Sequence, residues 1–194
     1  MTGPPEHPPS GLPARLTVIT GPSGVGKGSV VAEVRRRHPD VWLSVSATTR
    51  APRPGEIDGV HYRFLTPERF AAARDGGEFL EHARFAGNLY GTPRAPVYDT
   101  LAAGRPVLLE IDLQGARQIR RLEPNALLVL LAPPSLAELK LRLTGRGTED
   151  PESLRRRLEL AERELASADV VDATVVNDDI ASAADRLVTL MASA

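Results

Sequence analysis

The residues best placed to do chemistry are Gly21-Pro22-Ser23-Gly24-Val25-Gly26-Lys27-Gly28-Ser29. They follow the apolar run Leu16 to Thr20 and lead into a helix-like segment, Val30 to His38. A strand, a glycine turn and a helix start aim a row of backbone N–H groups at one point, where the helix dipole adds partial positive charge. Such a turn is an anion site, and Lys27 sets a full charge over the outer phosphates of a nucleotide. The spacing fits G-x-x-x-x-G-K-[ST] up to its last position, where Gly28 stands in place of the hydroxyl and Ser29 follows one residue later. A glycine-rich turn without ligand is the plain alternative. Lysine usage weighs against it: of 24 Lys and Arg residues, only Lys27 and Lys140 are lysines.

Two more groups could handle charge. Arg50 and Arg53 lie three apart in the proline-stiffened stretch Ala51-Pro52-Arg53-Pro54-Gly55-Glu56. Each guanidinium offers a planar fork, so the pair can converge on one small anion; ordinary surface arginines would read the same way. Glu110 and Asp112 sit two apart at the end of a buried run, hence on one face. Beside the glycine loop at the carboxyl edge of a parallel sheet, that is where ligands bind in this fold class. One of these acids suits the water shell of Mg²⁺, which keeps several waters at phosphate sites. The four histidines, His7, His38, His61 and His82, show no metal-ligand spacing.

The elements that must position these residues follow from periodicity and caps. Residues 1–13 carry Pro4, Pro5, Pro8, Pro9 and Pro13 and read as a disordered tail. Strands are expected at 15–20, Trp42 to Val45, Val60 to Leu65 (with Val60, Tyr62 and Phe64 on one side), Glu78 to Ala86, Pro106 to Ile111, Ala126 to Leu131 and Ala173 to Val176. Asn88 to Pro93 reads as a loop before a helix ending at Gly104, and a further helix is expected over 116–122. Thr66-Pro67-Glu68, the capping box Ser135-Leu136-Ala137-Glu138, Asp150-Pro151 and Asp178-Asp179 mark helix starts. Buried strands alternating with amphipathic helices predict an α/β fold with a parallel sheet flanked by helices. The segment near 60–86 lacks long helices and predicts a small β-rich lobe.

Composition bounds the rest. At 194 residues, 42% apolar and 25% charged, the chain reads as one globular domain. A net charge of −1 argues against a general nucleic-acid or membrane-surface role. The absence of cysteine excludes disulfides and thiolate chemistry. The longest apolar run, Ala126 to Ala132, falls short of a membrane span, and the N-terminus lacks a signal-peptide pattern, so a cytoplasmic location is expected.

The run Ser46-Ala47-Thr48-Thr49-Arg50-Ala51-Pro52-Arg53-Pro54-Gly55-Glu56 resembles the acceptor-nucleotide signature of guanylate kinases. So, in the same order, do Glu78-Phe79-Leu80-Glu81, Asn88-Leu89-Tyr90-Gly91-Thr92, Glu110-Ile111-Asp112-Leu113-Gln114-Gly115, Gly145-Arg146-Gly147-Thr148 and Val176-Asn177-Asp178-Asp179. The resemblance covers the chain from about Arg15 onward. It implies a P-loop NTPase-type core (14–45 and 105–194), a GMP-binding lobe at about 46–98 and a helical lid at about 142–157. It implies ATP-dependent phosphorylation of GMP with Mg²⁺, and no obligate protein partner. The glycine loop, Gly21 to Ser29, and Asn177 would hold ATP, Asn177 on the adenine side, where a turn or cap role competes. Arg50, Arg53, Tyr62 and Tyr90 would hold the GMP phosphate, with core packing an alternative for Tyr62. Glu81 and Asp112 would read the guanine edge, helped by Ser46 and Thr92; Thr92 could equally be a helix cap, and Glu81 a solvent-facing strand residue. Glu110, with Ser29, is assigned to the metal through water. Lys27, Arg142, Arg146 and Arg157 would stabilise the transfer. Among such kinases a Gly-Lys-Gly-hydroxyl order also occurs, which accommodates Gly28 and Ser29. A non-catalytic phosphopeptide-binding module and a sugar-phosphate kinase are the rival readings.

Overall fold

The computed structural model describes residues 11–144, 151–166 and 168–193. The tail expected before Gly11 and the segment Gly145 to Asp150, with Arg146, lie outside the described residues. In chain order the elements are β1 (Leu16–Thr20), α1 (Lys27–Arg37), β2 (Trp42–Leu43), β3 (Ala47–Thr48), β4 (Arg63–Phe64), α2 (Pro67–Asp75), β5 (Phe79–Phe85), β6 (Asn88–Pro93), α3 (Arg94–Ala102), β7 (Val107–Glu110), α4 (Leu113–Leu122), β8 (Leu127–Ala132), α5 (Leu136–Thr144), α6 (Pro151–Ala166), β9 (Ala173–Val176) and α7 (Ile180–Ala192).

Five parallel strands form the main sheet in the order β2-β7-β1-β8-β9. The central strand β1 is buried along its whole length, Leu16, Val18 and Ile19 together with Thr17 and Thr20, as befits a strand covered on both faces. On one face Ile19, Val30, Val34, Leu131, Ala184 and Leu187 pack between the sheet and helices α1 and α7. On the other, Val18, Leu109, Ala116, Ile119 and Leu128 bury the apolar stripe of α4. The expected parallel sheet flanked by helices is therefore present. The chain leaves β1 between its two neighbours β7 and β8, so the glycine loop opens at the sheet's carboxyl edge, next to Glu110.

A smaller mixed sheet, in the order β4-β3-β6-β5, forms the lobe with α2. Its core is Ala47, Ala73 and the rings of Phe70 and Phe79, whose centroids lie 4.6 Å apart. Thr66 caps α2 by accepting from the Arg69 N–H, with Pro67 in the first turn, as its sequence predicts.

Three local expectations are corrected. Asn88–Pro93 is a strand, not a loop: it pairs antiparallel with β5 and β3. A two-residue turn with positive φ at both Ala86 (46°) and Gly87 (82°) closes the β5–β6 hairpin. Polar residues, a glycine and a proline hid a strand whose ladder is completed by partners distant in sequence. The strand expected over Val60 to Leu65 shrinks to Arg63–Phe64, and Val60 is 59% exposed rather than aligned with Tyr62 and Phe64. Helix α1 begins at Lys27 rather than Val30, because Gly26 at φ 97° is its N-cap. Lys27, Gly28 and Ser29 thus form the first helical turn, where N–H groups have no acceptor within the helix.

Candidate active site

The glycine loop is built by close approach. A Cβ at Gly21 would overlap the Leu131 carbonyl oxygen of β8, and one at Gly26 would lie 2.5 Å from the Asn177 amide nitrogen. A side chain at Gly21 would push the loop off the sheet, and one at Gly26 would displace the Asn177 amide. Asn177 is 3% exposed and its Nδ2 donates to the Val25 carbonyl at 2.8 Å. Arg142, from α5, donates to the Asn177 and Val25 carbonyls at 3.0 and 3.4 Å and to Glu138 at 3.1 Å. The two residues therefore brace the loop from beneath; neither lines the cavity in front of it.

That cavity encloses about 990 Å³. It gathers Gly21, Pro22, Ser23, Gly24, Gly26, Lys27, Gly28 and Ser29 on one side and Ser46, Arg50, Arg53, Tyr62, Glu81 and Tyr90 on the other, with Glu110, Asp112 and Arg157 between. Val25 and Thr92, both buried, stand behind its wall. Arg157 reaches from α6 to the loop, its Nη2 donating to Ser23 Oγ at 2.7 Å.

Lys27 curls over its own loop, Nζ donating to the carbonyls of Gly21 (2.5 Å) and Pro22 (3.3 Å). Burial lowers its pKa, while the charges of Glu110, Glu164 and Asp112 work the other way. Burial likewise pushes Glu110 upward against the pull of Lys27. Ion and counter-ion are thus both desolvated and held by each other. Gly28 faces Glu110, with the Oε1 atom 3.7 Å from where a Cβ would stand.

Across the cavity the Arg50 guanidinium spans both Glu56 carboxylate oxygens at 2.9 and 2.8 Å, beneath the Tyr62 ring at 5.4 Å. Glu56 also accepts the Arg53 N–H at 2.7 Å. The Arg50 bond foremost, then the Arg53 N–H, hold its carboxyl down at about 2. Tyr62 and Tyr90 meet edge to face at 6.0 Å, and burial raises the Tyr62 hydroxyl.

Glu81 is 4% exposed on β5, so the solvent-facing reading is set aside. Thr92, opposite it on β6, donates from Oγ1 to Glu81 Oε1 at 2.7 Å. Burial raises the Glu81 carboxyl to about 7, with the Asp112 charge adding to that rise and the Thr92 bond opposing it. Asp112 is the N-cap of α4, Oδ1 accepting from the Gly115 N–H at 2.9 Å.

This geometry has known relatives. The sequence pattern described as guanylate kinase matches residues 13–194. The chain belongs to the guanylate kinase family. It is 61% identical over 180 residues to the guanylate kinase of Frankia casuarinae, covering 93% of this chain and 98% of that one. To that of Streptomyces coelicolor it is 59% identical over 183 residues, covering 94% and 92%. The crystal structure of guanylate kinase from Anaplasma phagocytophilum superposes with a TM-score of 0.76 at 32% identity, covering 93% of this chain and 85% of that chain. A gluconokinase from Sinorhizobium meliloti, at 19% identity and a TM-score of 0.50, shares the fold alone.

For a guanylate kinase family member, sequence reasoning left two acids unassigned. Glu56 organises both arginines; its spacing of three and six residues from them was the available signal. Glu164 of α6 lines the cavity, and burial raises its carboxyl while Lys27 lowers it. No local pattern announces it, since α6 meets the loop only in the tertiary fold. Arg156 is exposed and also borders the cavity.

Proposed function

We propose that the protein transfers the γ-phosphoryl group of ATP to GMP, giving ADP and GDP. The observation that carries this reading is one cavity lined by both a lysine-bearing phosphate loop and a separate arginine–tyrosine cluster, with two acids between them. The loop N–H groups and Lys27 hold the donor phosphates, which displace the Lys27 ammonium from the loop carbonyls. Arg50, Arg53, Tyr62 and Tyr90 hold the acceptor phosphate through charge-assisted and phenolic hydrogen bonds. Glu81 and Asp112 accept the N1–H and 2-amino donors of guanine, with Ser46 at the same wall. Adenine lacks that donor pair and would leave buried acids unpaired. Thr92 holds Glu81 rather than the base.

Glu110 and Ser29 offer only oxygen donors, which suits Mg²⁺ held through its waters. When bound there, the ion would supply positive charge that offsets the charge of the donor phosphates. The acceptor phosphate is already an anionic nucleophile, so the chain's residues supply positioning, charge neutralisation and water exclusion rather than a general base. Arg157, whose guanidinium reaches the loop at Ser23, is assigned to stabilise the phosphoryl group in transfer, a role that Arg146, outside the described residues, would share. Arg142 and Asn177 keep the loop in shape.

The intact loop lysine disfavours a non-catalytic phosphopeptide module, and the paired acids disfavour a sugar phosphate. ADP release from Mg·ATP with GMP, AMP, CMP or a sugar phosphate as acceptor tests the reading. Turnover is expected with GMP far above the others. Turnover with another acceptor and none with GMP would overturn it.

A further inference from the structure

Gly115 does not line the cavity, yet both acids of the base-reading wall depend on it. It lies in the first turn of α4, where its N–H fixes Asp112 Oδ1 at 2.9 Å. Its bare Cα faces the other acid: a Cβ there would overlap Glu81 Oε2 and stand 2.9 Å from Glu81 Cδ. The helix is held at this distance by side chains that complete the free edge of β5. Gln118 exchanges two hydrogen bonds with the His82 backbone, at 3.2 and 2.8 Å, and Gln114 donates to the Arg84 carbonyl at 3.4 Å. Gln114, Gly115 and Gln118 thus form one face of α4 pressed on β5, with Glu81 seated in the gap that the glycine leaves.

We propose that Gly115 is a specificity-determining position: its missing side chain seats Glu81 while its N–H seats Asp112, and together these set guanine selectivity. The inference rests on the assignment of Glu81 and Asp112 to the guanine edge. Gly115 is a positioning residue, since it acts through the two acids. An alanine there meets the far end of a flexible side chain rather than backbone, so the fold can accommodate it by swinging the Glu81 carboxylate away and breaking its bond to Thr92. The consequence falls on substrate choice rather than on folding.

The test compares kcat/KM for GMP and AMP, ATP affinity and thermal midpoint in the wild type, Gly115→Ala, Gly115→Ala with Glu81→Asp, and Glu81→Gln. Gly115→Ala is expected to lower the GMP-over-AMP ratio by about tenfold or more while ATP affinity holds. Shortening the acid restores room, so Glu81→Asp in the alanine background is expected to recover the ratio about threefold or more. A ratio within twofold of wild type in Gly115→Ala, or no recovery in the double variant, overturns the inference. If Gly115→Ala does not fold, folding of the double variant supports the seat, and failure of both overturns it. Glu81→Gln separates the two layers. Retained GMP preference there sinks the base-reading role itself, whereas its loss beside an unaffected Gly115→Ala sinks only the role of Gly115.

Discussion

Glu81→Gln makes the conflict between stability and recognition measurable. Burial lifts the Glu81 carboxyl from 4.5 to about 7. The native state therefore binds this proton more tightly than the unfolded chain does. Below about pH 4.5 both states are protonated and nothing is lost; as pH rises toward 7 the native state alone resists ionisation, and stability falls. At about 1.4 kcal/mol per tenfold change in proton affinity, the full loss above pH 7 is about 3 kcal/mol. Glutamine has nearly the same shape, does not titrate and can still accept the Thr92 hydroxyl through its own oxygen. The variant should therefore gain on the wild type as pH rises, by about 2–3 kcal/mol between pH 5 and pH 8. Urea denaturation of both proteins across that range measures the difference, and charges that do not interact with Glu81 cancel in it. A difference that stays flat with pH would refute the reasoning. Binding is expected to run the opposite way, because the contact proposed between Glu81 and the guanine donors needs the ionised acid. Between pH 6 and pH 8 the ionised fraction rises about tenfold, and GMP affinity should follow in the wild type. The GMP phosphate also loses a proton near pH 6, so the Glu81→Gln profile supplies the baseline.

The other expectations concern the two phosphate sites. Arg50→Lys replaces a fork that spans both Glu56 oxygens with a point charge, and should raise KM for GMP about tenfold to a hundredfold while KM for ATP stays put. Steady-state kinetics with each substrate varied in turn checks this, and an equal change in both KM values would count against an acceptor-side role. Asn177→Ala removes the buried amide donor from the Val25 carbonyl and leaves it only the longer Arg142 bond, at a cost of about 1 kcal/mol. It should weaken ATP and other nucleoside triphosphates alike, as measured by donor competition. A change in the preference among donor bases would instead place Asn177 on the adenine.

Much of the site was legible because it is local. Gly21 to Ser29 follows a buried strand and opens a helix, so the phosphate loop could be read from nine neighbouring residues. Helix starts at Thr66, Ser135 and Asp179 were equally readable, since a cap and its N–H lie three residues apart. The alternation of buried runs with amphipathic helices determined a parallel α/β sheet, because strands covered on both faces are predominantly apolar. What the chain could not announce depends on partners far along it. Asn88–Pro93 becomes a strand only because Ala47, Thr48 and β5 flank it. Asn177 and Arg142 serve the loop from beneath because β9 and α5 end there, more than a hundred residues after Val25. Glu81 is a plain strand acid until β6 and α4 close over it. The sequence by itself determined that a glycine loop carrying Lys27 joins a buried strand to a helix, which is the form of a phosphate site, and which residue types accompany it. Tertiary structure decided which of those residues face the cavity and which stand behind it, because burial of a polar side chain is a property of its neighbours.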